Sequence, residues 1–544
     1  MRFLFSAFLV SVAWAQSPTS GRVGVGAVER KLPLAEAVEM ALKNNLEIEI
    51  ERTGVAAAQQ FARGARGAFD PTLRWQPLFE SRNTPTSSIL FGAEGKLAER
   101  MHAQNFGYRQ RLPLWGLSLQ GDFDNLRQST SNPFTSLSPF VTSRFSLGVT
   151  VPLLRNRLID RERAEIRVRA RQAGVSQIDL ELRVIDVVLR VEQSYWDLVA
   201  ARQDVQVKYD AVNLAREQLA RSRRMIDSGT LAPVELAASE AELARRLDTW
   251  HASLGVLTEV ENSLKALATG GNHETLWSEE IIPLDQQPPE SLAIPELRDG
   301  VAAALKQRPE LKHLAQRQET NQIQQDLGKD QLKPQVNMVA GYSAAGLAGS
   351  TSTTENPFSG SNRLLFERVN DLSRRAGLSS IPVVSFGGAP AGLIGGYGSA
   401  ISDLFTGRYQ TFQAGLSIDW NPRNQAAAAN LAQTAIAERR LKLERVRVEM
   451  AIEVQVRNAL QGLETARQRI TAADASAQAA REKLESETRL FQNGESTNFL
   501  VLTRQNEYAD SRRRAVAARL DYNKSLARLE QALGTTLAAH KIRL

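Results

Sequence analysis

Two rhythms of hydrophobic and polar residues run through this chain, and each occurs twice. The first has a period of two: Phe145, Leu147, Val149 and Val151 alternate with Arg144, Ser146, Gly148 and Thr150, and Phe412, Ala414, Leu416, Ile418 and Trp420 alternate with Gln413, Gly415, Ser417 and Asp419. Such alternation predicts strands with one apolar and one wet face. Strands are also predicted over 72–80 and 335–343, each following a proline, Pro71 or Pro334, and the stretch 105–126 offers a further hairpin turning at 113–116.

The second rhythm is helical and very long. From 155 to 228 the only strong breaker is Gly174, and from 423 to 493 it is Gly462, while Ala, Leu, Glu, Gln and Arg dominate. At ~1.5 Å per residue each stretch predicts a rod of roughly 100 Å. Each ends in a glycine-centred turn, Ser228-Gly229-Thr230 or Asn493-Gly494-Glu495, and a second alanine-rich segment follows over 233–268 or 497–533, so that each copy holds a helical hairpin. Within the second rod, Val446, Val448, Met450, Ile452, Val454 and Val456 alternate like a strand, but no turn residue bounds them and helix formers continue on both sides, so helix is predicted. The alanine-rich runs 426–429 and 477–480 suit close helix packing and equally suit plain helix propensity.

The two copies are in register. Val38, Ala41, Leu42, Lys43, Glu47 and Pro71 recur 263 positions later as Val301, Ala304, Leu305, Lys306, Glu310 and Pro334, and Ala201-Arg202-Gln203 and Gly229 recur 265 positions later as Ala466-Arg467-Gln468 and Gly494. This is a duplication of one structural unit. The expected organisation is a signal peptide over 1–15, a leader over 16–33, repeat 1 over 34–270, a proline-bearing linker over 271–295, repeat 2 over 296–534 and a tail over 535–544.

Compartment decides what these elements can be for. Arg2, the apolar run 3–12 and Ala13-Trp14-Ala15 read as a secretory signal with Gln16 as the first mature residue. Beyond it no run of about 18 apolar residues exists, so a membrane-spanning part would have to be built of strands. The alternating strands fit two architectures, a soluble sandwich and a barrel wall with lipid on one side and water on the other; Tyr409 and Trp420, near the two ends of one strand, suit interfacial aromatic belts. A closed barrel needs about eight strands or more. One chain with four strands and a further pair cannot close it, so several chains would share a barrel, three copies of four strands making twelve. The long Gly/Ser-rich insertion 342–408, with Gly387-Gly388, Gly395-Gly396 and a short helix around 364–375, and the shorter polar loops 83–94 and 129–142 would face outward, leaving the helices in the periplasm.

Composition narrows the chemistry. The 544 residues include no cysteine, which excludes disulfides, thiolate metal sites, a cysteine nucleophile and lipid attachment at a cysteine. The net charge of +7 comes from 67 basic and 60 acidic residues interleaved along the helices, as in Glu162-Arg163-Ala164-Glu165, which is the pattern of solvated helix faces and unlike a nucleic-acid patch. His102, His251, His273, His313 and His540 have no ligand spacing, no phosphate loop or nucleophile elbow occurs, and Gly24-Val25-Gly26 follows no strand. No catalytic, cofactor or metal site is expected.

The order and duplication of these motifs, from Leu34-Ala35-Glu36-Ala37-Val38 and Ala41-Leu42-Lys43-Asn44-Asn45 to Leu526-Ala527-Arg528-Leu529-Glu530 and Ala532-Leu533-Gly534, resemble the TolC-like outer-membrane efflux proteins over nearly the whole mature chain. The resemblance implies an α+β membrane protein: a homotrimer whose shared twelve-stranded transmembrane β-barrel is continuous with a long periplasmic α-helical barrel. It implies the exit duct of a tripartite efflux or type I secretion system, with a periplasmic adaptor and an inner-membrane transporter as partners. It places adaptor docking at the hairpin tips, here Gly229-Thr230-Leu231-Ala232 and Gly494-Glu495-Ser496-Thr497. Family members carry acidic rings six and nine positions after the second tip glycine, where this chain has Leu500 and Thr503. The tip-lock acid persists as Glu235, but its tyrosine partner position holds Phe491 and the arginine position Ser496. A ring of Leu500 would close a pore by dewetting and not by charge. Two other classes compete, a trimeric coiled-coil adhesin or structural envelope protein and a soluble periplasmic binding protein; the first should show sustained heptads with one anchor, the second should partition with the periplasm.

Overall fold

Long breaker-free composition yields the longest elements of the computed structural model, which describes residues 19, 22–26, 28–87, 95–229, 232–270, 274–285, 294–354, 357–382 and 388–543. The predicted signal peptide, Thr230, Leu231, Pro288, Pro289 and Gly387 lie outside the described residues. In chain order the elements are β1 (Glu29–Leu32), α1 (Leu34–Asn44), α2 (Leu46–Ala65), β2 (Thr72–Pro85), β3 (Lys96–Arg111), β4 (Ser118–Thr130), β5 (Leu137–Pro152), α3 (Arg161–Asp227) and α4 (Val234–Ala268). They continue with α5 (Glu274–Ser278), β6 (Glu280–Pro283), α6 (Leu297–Gln307), α7 (Pro309–Gln331), β7 (Gln335–Thr351), α8 (Pro357–Arg375), α9 (Tyr397–Asp403), β8 (Gln410–Asp419), α10 (Gln425–Gln492), α11 (Asn498–Leu533) and α12 (Thr536–Ala539). The predicted rods are α3 and α10, of 67 and 68 residues, and the alternating stretch 441–456 is helical throughout. α3 begins at Arg161, later than residue 155, because Asp160 caps it: its carboxylate accepts from the Arg163 N–H at 2.7 Å.

The described chain divides into two compact units, one of residues up to 58 with 172–318 and 439–544, the other of 59–171 and 319–438. The first is helical around a narrow core. Val184, Val187, Val188, Val191 and Leu198 of α3 pack with Leu257 and Leu264 of α4, Val38 and Ala41 of α1, and Ile48 of α2. Residues of the predicted leader and linker pair with each other. β1 and β6 pair in parallel over four residues each, and Tyr195 closes the join: its buried hydroxyl donates to the Asp285 carboxylate at 2.9 Å, and the same carboxylate accepts from the Leu34 N–H at 2.7 Å. Pairing between residues 29–32 and 280–283 has no local signal.

The duplicated helix junctions are clasped alike by different chemistry. Asn45, between α1 and α2, caps α2 through its side-chain oxygen and donates its amide to the Leu267 carbonyl at the end of α4, 2.9 Å. Arg308, 263 positions later between α6 and α7, donates to the carbonyls of Gln531 and Ala532 at the end of α11, 3.2 and 3.3 Å. Glu47 and Glu310 are the repeated acids beside them. Glu47 pairs with Arg190, whose hydrogen bond holds that carboxyl below the usual range against the opposing effect of burial, and Glu310 pairs with Arg308.

The second unit contains a six-stranded, wholly antiparallel sheet in the order β2-β3-β4-β5-β7-β8. All four predicted strands and both strands of the predicted hairpin belong to it. The strands run further than their alternation suggests, so the predicted loops are shorter: β2 reaches Pro85, β4 reaches Thr130, β5 starts at Leu137 and β7 continues to Thr351. Within the remaining insertion, α9 seats Ala400 against Val141 and Ala348, at a place where a Cβ on Gly346 would lie 1.9 Å from the Ala400 carbonyl. Only glycine fits there.

Lys265 is the most demanding group in the first unit. Fully buried, it is held by Glu261 at 2.8 Å and by the carbonyls of Trp277 and Glu279 at 3.1 and 2.6 Å, while Glu261 also receives Arg22 at 2.6 Å. Glu261→Ala would strand this ammonium without a counter-charge and is expected to destabilise by about 3–5 kcal/mol. A clear drop in the helix melting temperature of the purified protein, followed by circular dichroism, is the expected reading; an unchanged melting curve would contradict the assignment.

Candidate functional site

Both hairpin turns are built on left-handed glycines. Gly229 has φ +73° and its N–H bonds the Ile226 carbonyl at 2.9 Å; Gly494 has φ +78° and its N–H bonds the Phe491 carbonyl at 3.2 Å. A Cβ in that conformation is strained, so the turns need glycine. The two tips then restart differently. α11 is capped by Thr497, whose hydroxyl oxygen accepts from the Leu500 N–H, whereas the residue before α4 is Pro233, which makes no side-chain cap.

The residues assigned to a constriction fall on the first turn of α4, the first two turns of α11 and the last turn of α10. Leu500 is 38% exposed, Thr503 is half-buried with its hydroxyl donating to the Phe499 carbonyl at 2.8 Å, Glu235 is half-buried with its N–H bonded to the Ala232 carbonyl, and Phe491 is half-buried. Two features escaped the sequence. Phe499 and Val234 are 74% and 73% exposed, so each tip presents a bare apolar side chain at the start of its second helix. Ser496, in the place where a family arginine is expected, donates its hydroxyl to Glu487, and Arg504 lies 3.7 Å from the same carboxylate while pairing Glu507 at 2.8 Å. The arginine of this tip is therefore eight positions beyond Ser496, one turn past Leu500.

Over the rows that cross β2 at residues 72–76, the sheet separates apolar from polar residues by parity. One face carries two rows across the strands, Leu73–Tyr108–Gly121–Leu147–Tyr342–Phe412 and Trp75–Phe106–Phe123–Phe145–Ala344–Gln410. Their rings adjoin across strands, with centroids 6.2 Å apart for Trp75 and Phe106, 6.4 Å for Phe106 and Phe123, and 4.9 Å for Tyr342 and Phe412. The row between them, on the opposite face, reads Arg74–Gly107–Asp122–Ser146–Ser343–Thr411, and Arg109, Asp124 and Arg144 share that face. Leu73 and Phe412 are 81% and 74% exposed. Such a bare apolar belt backed by charge is the pattern of a wall with hydrocarbon on one side and water on the other. Trp420 falls just past the end of β8 and Tyr409 just before its start. No helix among the described residues is long and apolar enough to cross a membrane.

One group of titratable residues could hold a metal among the described residues: Glu192, Glu530 and His540, whose ligand atoms lie within 4.8 Å of one another. His540 already pairs Glu192 at 2.7 Å. Burial, then the Glu192 carboxylate, push Glu530 up to about 7, with His540 opposing; the hydrogen bond to Glu192 raises His540 above its ordinary value against the effect of burial. The group is held by one ion pair between α3 and the tail, with Glu530 of α11 beside it and Glu192 Oε2 buried without a hydrogen-bond partner.

Residues 301–535 match the family model described as outer membrane efflux protein. No curated protein sequence matches the chain. Among solved structures, the chain is similar to a membrane protein from Pseudomonas aeruginosa, at 14% identity and TM-score 0.61, covering 98% of this chain and 97% of that one. It is similar to the CmeC outer membrane channel of Campylobacter jejuni, at 13% identity and TM-score 0.61 over 92% of this chain and 86% of that one. It is also similar to the outer-membrane channel OprN, at 12% identity and TM-score 0.60 over 92% and 89%. At these identities the structures establish the fold, a mixed helix-and-sheet architecture shared with outer-membrane channels.

The Glu192–Glu530–His540 group carries a pH test. Relative to the unfolded chain, the folded chain holds extra proton on Glu530 between about pH 4.5 and 7 and on His540 above pH 6.5. Both contributions are complete at lower pH and are lost as pH rises through the folded values. Glu530→Gln, neutral at every pH, is expected to flatten the decline of melting temperature between about pH 5 and 8; a slope equal to that of the unaltered chain would show that Glu530 titrates normally.

Proposed function

We propose that this chain, whose resemblance to the TolC-like outer-membrane efflux proteins rests on a family match through repeat 2 and a shared fold through nearly its whole length, is the outer-membrane channel of a tripartite export system. Copies assemble as a homotrimer and conduct small molecules, such as drugs or toxicants, or secreted polypeptides from periplasm to exterior. The observation that carries the reading is the two-faced sheet: an exposed aromatic and aliphatic belt on one side, arginines and aspartates on the other. Lipid covers the first, and the exported solute passes the second. The channel catalyses nothing, so energy comes from an inner-membrane transporter.

The helical hairpins extend into the periplasm, and a periplasmic adaptor docks at their tips, Gly229 to Ala232 and Gly494 to Thr497. Pro233 in one tip and the Thr497 cap in the other support alternating, non-identical docking sites. Repeats 34–270 and 296–534 with the linker 271–295 between them are the units of that quasi-symmetry. The closed pore narrows at the first turn of α11. Leu500 with Thr503 replaces the acidic rings, Glu235 and Phe491 flank them, and the exposure of Phe499 beside Leu500 supports an apolar constriction.

Heat-modifiable trimers in outer-membrane fractions, and toxicant sensitivity on deletion, are the expected signatures; recovery in the soluble periplasm would overturn the reading. For the constriction, Leu500→Ser is expected to raise the single-channel conductance of reconstituted trimers by wetting the narrowest ring. Conductance identical to that of the unaltered channel would remove Leu500 from the gate.

A further inference from the structure

We propose that the membrane wall of the assembly is an eighteen-stranded barrel closed by three copies of this chain, β2 of each copy pairing with β8 of the next. The inference rests on the homotrimer reading above and departs from the twelve strands that the family resemblance implies. Each chain supplies six strands to one uninterrupted sheet, four from the first repeat and two from the second. The duplication is therefore asymmetric in the membrane: β2 to β5 stand where the second copy has only β7 and β8.

Three features direct the closure. Among the described residues β2 and β8 each have one strand neighbour, which leaves two open edges. Open edges are not tolerated in hydrocarbon, and six strands fall short of the roughly eight that a barrel needs, so the edges must be met by another chain. Because all five pairings are antiparallel and the strand number is even, β2 and β8 run in opposite directions. A second copy laid edge to edge thus continues the antiparallel ladder without a break.

The chemistry of the two edges matches as well. The apolar belt ends on β8 at Phe412, Leu416 and Ile418 and begins on β2 at Leu73 and Trp75, which are the barest members of the belt because nothing flanks them. On the opposite face the row ends at Thr411 and restarts at Arg74, so polar meets polar. The row that ends at Gln410, where β8 begins, starts at Trp75, and Pro77, which has no N–H to give a neighbour, falls two rows beyond. At ten residues β8 matches the about 9–11 residues that a tilted strand needs to span the bilayer. Since barrel diameter grows roughly linearly with strand number, this wall would be roughly one and a half times as wide as a twelve-stranded one.

The absence of cysteine lets engineered pairs report the junction. Arg74→Cys with Thr411→Cys, and the neighbouring combinations Gln76→Cys with Thr411→Cys and Arg74→Cys with Gln413→Cys, place both thiols on the water-facing side of the proposed seam. In trimers oxidised in isolated outer membranes, at least one combination is expected to give covalent dimers and trimers that reductant dissolves. Gln120→Cys with Gln413→Cys tests the competing wall, in which only β4, β5, β7 and β8 enter the barrel and β4 meets β8. Links from that pair in place of the others, trimers linked by neither, or closed covalent dimers with the native mass of two copies would each overturn the eighteen-stranded wall. A chain that forms no outer-membrane trimer would overturn the channel reading itself, a separate outcome.

Discussion

Hydrocarbon offers nothing to a backbone N–H or C=O, and in the proposed membrane wall the sheet is organised around that constraint. Five antiparallel ladders satisfy the interior of the six strands, and the pleat then does the rest, since residues two apart share a face. Apolar side chains gather on one side because every second position is apolar over Leu73–Phe79 of β2, Phe145–Val151 of β5, Met338–Ala344 of β7 and Phe412–Ile418 of β8, and intervening positions carry Arg74, Arg144 and Asp419. A one-residue slip of β2, β5 or β8 would put Arg74, Arg144 or Asp419 on the apolar face. The two edges are what remains unsatisfied, and assembly is the only remedy that adds no further element.

The helical unit solves the opposite problem, how to order long helices that water reaches from more than one side. Its apolar seam is narrow, so fixed polar contacts hold the places where the chain changes direction. Asn45 and Arg308 perform the same task 263 residues apart, tying a helix junction to the last carbonyls of the following hairpin. A neutral amide reaches one carbonyl from close by; a guanidinium reaches two and takes Glu310 and Gln455 besides. Once the duplication existed, geometry constrained the connection and left its chemistry free to diverge.

The helices were legible because composition writes them: long absence of Pro and Gly, then a glycine where φ must turn positive. Their ends moved by a few residues where a side chain, Asp160 or Thr497, supplied the cap. Strand cores were legible wherever one face is apolar. Strand ends were not, since residues such as those from Lys96 to Gln104 project polar groups to both sides and lose the alternation. The β1–β6 pair was invisible because parallel pairing across some 250 residues leaves no trace in either segment. At the tips, the glycines could be found by spacing and Leu500 was singled out only through the family resemblance, whereas the Ser496–Glu487 and Arg504 contacts join residues from two helices and exist only once the hairpin closes.

Those contacts explain why the two copies can serve unequal roles. In the second hairpin Glu487 is held from across the turn, and Thr497 fixes the first turn of α11, so Phe499 and Leu500 are presented on a braced backbone. The first hairpin begins α4 after a proline with no side-chain cap, and Ser222 and Ser239 meet at 3.2 Å between its two helices. A constriction needs side chains that keep their position against passing solute, and a docking site tolerates more play. In the second copy the positions of the acidic rings of the resembled family hold Leu500 and Thr503, so the proposed apolar closure sits directly beside the Thr497 cap and the Ser496–Glu487 contact.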